Sequence, residues 1–78
     1  MFVSRGEALA SARKLVRTFA SAHAPRRQAR SIHSELAQWD GWAGPEREQI
    51  DALGAWLADD PNLTELRPRC EQLLASLR

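Results

Sequence analysis

The chain has 78 residues, room for one domain and not two. A domain of that size buries only roughly 60–65% of the surface its unfolded chain exposes, so its own core is marginal. A single cysteine, Cys70, excludes an intramolecular disulfide, and no apolar run nears the roughly 20 residues of a membrane span. The formal net charge is +1, but residues 1–33 carry seven basic side chains and one acid, whereas residues 34–78 carry four and nine.

Pro25, Gly41, Gly44-Pro45 and Asp60-Pro61 punctuate the chain into four pieces. The first predicts a helix over 4–23. Ser4 and Glu7 have capping-box spacing, and Phe2 and Val3 precede them as a candidate staple. At 100° per residue, Ala8, Leu9, Ala12, Leu15, Val16, Phe19, Ala20 and Ala22 share one face. Arg13, Lys14, Arg17 and Ser21 lie opposite.

A second helix is predicted over 25–40. Pro25 suits its first position, and Ala29, Ile32, Leu36 and Trp39 form a narrow apolar stripe. Arg26, Arg27, Arg30, Ser34 and Gln38 face away from it. Gly41 is the expected left-handed terminator. Trp42 then sits in the connection, with two readings: an exposed contact residue, or a cap on the end of the bundle.

The third helix is predicted over 45–58, led by Pro45 and the acids Glu46 and Glu48, with Ile50, Leu53, Trp56 and Leu57 facing inward. For the fourth, either Asp60 caps a helix that Pro68 kinks, or a turn at 61–64 precedes a helix over 64–77 capped by Thr64; the second is preferred, because a proline deep in a helix costs about 3 kcal/mol. Leu63, Leu66, Cys70, Leu73, Leu74 and Leu77 share its apolar face. Nothing alternates with period two, so the expected class is all-α: a bundle of three to four short antiparallel amphipathic helices.

The chemistry-bearing residues are few. His23, His33 and Cys70 lack metal-ligand spacing, and Cys70 lies in a leucine stripe where a thiol packs as a small hydrophobe. No catalytic site, metal, cofactor or small-molecule substrate is therefore expected. Residues 16–35 fail the helix-turn-helix pattern, with proline at the turn and Arg30 and His33 at apolar positions.

What remains is a surface for a partner: Arg26, Arg27 and Arg30 with Trp42, supported by Arg13 and Arg17. The expected partner is another protein or a second copy of the chain, the basic half of one meeting the acidic half of the other. The alternative is a small nucleic-acid-binding regulator using the basic face of residues 13–30. A membrane partner is not expected. Met1 to Arg5 carries no long apolar stretch, so no secretory signal is read and the cytoplasm is the expected compartment. One lysine among eleven basic residues is the composition of a GC-rich bacterial or phage genome.

Overall fold

Ser4 opens the first helix as the spacing predicts. In the computed structural model, which describes residues 3–21 and 23–77, its hydroxyl oxygen accepts the Glu7 N–H at 3.1 Å. Among the described residues the chain forms four α-helices and no strand. These are α1 (Arg5–Arg17), α2 (Pro25–Ala37), α3 (Gly44–Ala58) and α4 (Leu63–Ser76), with a 3-10 turn at Phe19–Ser21. The class is all-α, as expected. Phe2 and Ala22, given roles in the staple and the apolar face, lie outside the described residues.

Helices consecutive in the chain run antiparallel, as do α1 and α4, and polar ties at alternating ends show it. Gln28, in the first turn of α2, donates to the Leu15 carbonyl near the end of α1 at 2.9 Å. Arg26 reaches the turn after α3, bridging Asp60 at 3.1 Å and donating to the Pro61 carbonyl at 3.2 Å. Ser76, at the end of α4, donates to Gln49 near the start of α3 at 2.7 Å. Arg5, at the start of α1, donates to the Leu77 carbonyl just past α4 and pairs with Glu46 at 3.0 Å. Two of these ties join the basic half of the chain to its acidic half, so the fold consumes part of the charge asymmetry internally.

One core runs through the bundle. Ile32, Leu36, Leu66, Cys70 and Leu77 are its most deeply buried large side chains. Each large aliphatic side chain of this kind contributes roughly 1.5–3 kcal/mol. Ala8, Ala12 and Ala29 are also buried, and their small size lets α1 and α2 approach closely.

Three expectations need correction. The first helix stops at Arg17, not 23. Thr18 closes it with its hydroxyl on the Lys14 and Leu15 carbonyls at 3.3 and 3.2 Å, and the chain tightens to bury Phe19. Pro25 then requires an extended residue before it, and Ala24 has φ −130° and ψ 84°. The second helix stops at Ala37, not 40, and Gly41 is not its left-handed terminator. Among the described residues the glycine with positive φ is Gly44, at 60°. Gly41 answers a different need, because a Cβ there would lie 2.2 Å from the Trp39 ring.

The fourth helix begins at Leu63 and is capped by Asn62, whose side chain accepts the Thr64 N–H at 3.0 Å. Pro68 therefore lies inside the helix, and Leu63 is half-exposed rather than buried. The aspartate before Pro61 makes the tight turn that allows this: Asp60 adopts φ 52°, a conformation in which aspartate is among the better tolerated side chains.

A candidate groove between the first and last helices

An open groove of about 520 Å³ lies between α1 and α4. Its floor is apolar. Val16 packs against the core from α1, and Leu74 is buried on α4. Ala10 and Ala75 narrow the groove without filling it. Arg13 and Arg17, one helical turn apart, stand on the α1 rim, and Glu71 stands on the α4 rim. The Glu71 carboxylate is already held by Arg67 at 2.8 Å. Neither Arg13 nor Arg17 forms an ion pair among the described residues.

The expected contact residues do not form one surface. Arg13 and Arg17 open onto α4. Arg27 and Arg30 are exposed on the outer face of α2, and Arg30 lies about 160° around that helix from Gln28, which borders α1. Arg26 is engaged by Asp60 and Pro61, so it serves the α3–α4 turn.

Trp42 is 5% exposed. Its indole N–H donates to the Leu36 carbonyl at 2.7 Å, and its ring meets Trp39 edge-on, centroids 4.9 Å apart. It closes the end of the bundle and is not an exposed anchor. Trp39 and Trp56, expected in the core, are only partly buried.

The remaining reactive groups have structural surroundings. His23 lies exposed in the bend after the 3-10 turn, beyond the end of α1. The His33 ring packs against α3 at Gly54, where a Cβ would lie 2.6 Å from its Nε2. Cys70 is fully buried, and burial, reinforced by the Glu71 carboxylate, pushes its thiol up to about 11.

A thiol in that range has a thiolate fraction below pH 9 on the order of a hundredfold under that of an exposed one. Thiol-reagent labelling at pH 8 should therefore be slow in the native protein and fast in denaturant. The folded chain keeps a proton that the unfolded chain releases above about pH 9. Stability should thus fall as pH rises from about 9 to 11, by on the order of 2 kcal/mol. Cys70→Ala should remove that part of the slope in alkaline denaturation curves.

Residues missed from the sequence complete the groove and its frame. Leu74 was read only as part of a buried helix face, Glu71 only as a charge, and Ala75 was given no role. Arg5 was counted only as a charge, yet it ties α1 to α3 and α4 and lies 5.5 Å from the Trp42 ring centroid. The available signal was the width of the α1 stripe, with Val16 at its edge. Among the described residues no helix is long and apolar enough to cross a membrane. Comparison of the chain with protein-family models, curated proteins and solved structures gives no match.

Proposed function

We propose that this chain is a non-enzymatic, cytoplasmic protein–protein interaction module, a small adaptor, chaperone or inhibitor, that receives its partner in the α1–α4 groove. The observation that carries the reading is an apolar floor of Val16 and Leu74 beneath Arg13 and Arg17, which form no ion pair among the described residues. Apolar area supplies the affinity of such a site, and rim charges select what approaches it.

The nucleic-acid alternative has less support. With Arg26 engaged and Arg13 and Arg17 on another side, α2 offers Arg27 and Arg30. Two phosphate contacts would give a salt slope of only about two log units of affinity per log unit of salt.

The test fills the groove without touching the core. Ala75 is exposed at its edge, so Ala75→Arg should fold normally and block the groove. Tagged wild type and variant are passed through nuclease-treated source lysate. A protein retained by wild type and lost by the variant is the expected result. Equal retention by both, or retention only without nuclease, overturns the reading.

A further inference from the structure

We propose that the α1–α4 groove docks an acidic amphipathic helix of a partner protein, its carboxylates on Arg13 and Arg17 and its apolar stripe on Val16 and Leu74. This rests on the groove being the interaction surface and adds the chemistry of what fills it.

The shape favours a helix. From Ala10 to Arg17 the α1 wall spans about 10 Å, two helical turns, which matches anchors spaced i, i+3 or i+4, and i+7. Both walls are helices whose backbone groups are bonded within their own ladders. They offer no N–H or C=O to an extended strand, whereas a helix brings its own backbone bonds satisfied. Ala10 and Ala75 at the edges let a second helix backbone come close.

The charge sets the sign and the orientation. Glu71 is neutralised by Arg67 at 2.8 Å, which leaves Arg13 and Arg17 as the uncompensated charges of the groove. Carboxylates spaced i, i+4 on the α1-facing flank of the guest match two arginines with the same spacing. The smaller hollow between α3 and α4, about 230 Å³, has no such pair, and its Arg69 is stacked 4.8 Å from the Trp56 ring centroid.

The experiment uses two lactam-bridged, fluorescein-labelled helical peptides of about 15 residues. Both carry a leucine stripe. One has glutamates on the flank, the other lysines. Anisotropy measures binding, and amide chemical shifts of Ala10, Val16 and Ala75 locate it.

The glutamate peptide should bind wild type with Kd on the order of tens of micromolar and shift the groove amides. Binding to the double variant Arg13→Glu/Arg17→Glu should weaken by on the order of tenfold, and that variant should prefer the lysine peptide. Both arginines are exposed, so the variant should keep the wild-type circular dichroism melt.

Equal or tighter binding of the lysine peptide to wild type overturns the acidic partner. If the groove amides still shift, the interaction surface survives. If neither peptide nor a second copy of the chain at high concentration shifts those amides, both readings fall.

Discussion

Trp42→Ala is expected to lower the stability of this protein by about 3–5 kcal/mol, the largest loss of any single substitution considered. Three losses combine. The indole is 5% exposed, so its removal opens a cavity at the end of the bundle. The Leu36 carbonyl, in the last turn of α2, loses the indole N–H that donates to it at 2.7 Å. Trp39 loses its edge-on neighbour, and Arg5 loses the ring 5.5 Å from its guanidinium.

A domain of 78 residues with one small core has a total stability near the low end of about 5–15 kcal/mol. The variant should therefore be substantially unfolded at room temperature. Urea denaturation followed by circular dichroism measures it. Trp42→Phe is the milder change, because it keeps one aromatic ring while removing the N–H and part of the indole, at a cost of about 1–3 kcal/mol. If Trp42→Ala lies within about 1 kcal/mol of wild type, the residue does not close the bundle.

Pro68→Ala is expected to act in the opposite direction. Pro68 is exposed, six residues into α4, where it supplies no N–H to the Thr64 carbonyl and crowds that carbonyl with its ring. Alanine restores the bond and is favoured by about 3 kcal/mol in a helix interior. Two effects reduce the gain. Thr64 is itself exposed, so water already satisfies part of its carbonyl. The unfolded chain also regains freedom worth about 0.4–1 kcal/mol.

A net stabilisation of about 1–2 kcal/mol remains, which for a domain of this length raises Tm by about 4–8 °C per kcal/mol. A melting temperature unchanged or lowered by the substitution would show that the first turn of α4 is held by contacts to Pro68 itself. Asn62→Ala, which removes the cap on Thr64, should cost about 1 kcal/mol in the same melts.

The two substitutions concern the places where local patterning and the fold disagree. Pro68 is a helix breaker, and avoiding its cost put the helix start after Pro61 and the cap at Thr64. The bundle instead begins α4 at Leu63, because burying Leu66 and Cys70 against the other helices outweighs one strained turn. Trp42 follows a helix terminus and has no periodic reason to be buried. Its burial depends on a contact six positions back, where the indole N–H joins the Trp39 N–H on the Leu36 carbonyl. Trp39 and Trp56 sit on clean apolar stripes, yet they lie at the rim because the bundle is only 20–21 Å across.

The groove shows the same division. Arg13 and Arg17 were legible as exposed neighbours on one helix, since a spacing of four is a local property. Their pairing with Leu74 and Ala75, nearly 60 positions away, was not, because nothing in the pattern says which flank of α1 meets α4. The arginines of α2 looked like part of the same face in the linear order. In the fold Arg13 and Arg17 open onto α4, whereas Arg27 and Arg30 are exposed on α2.

The sequence by itself determined what depends on near neighbours along the chain. The spacing of apolar residues set four amphipathic helices, Ser4 and Pro25 set where two of them start, and the absence of period-two runs set the class. Only the tertiary structure decided the contacts between distant segments. It sent Arg26 to Asp60, folded Trp42 onto Leu36, accepted Pro68 inside α4, and left Arg13 and Arg17 above an apolar floor. Those outcomes turn on which helices cross and how closely, a balance of burial over the whole bundle that no local window contains.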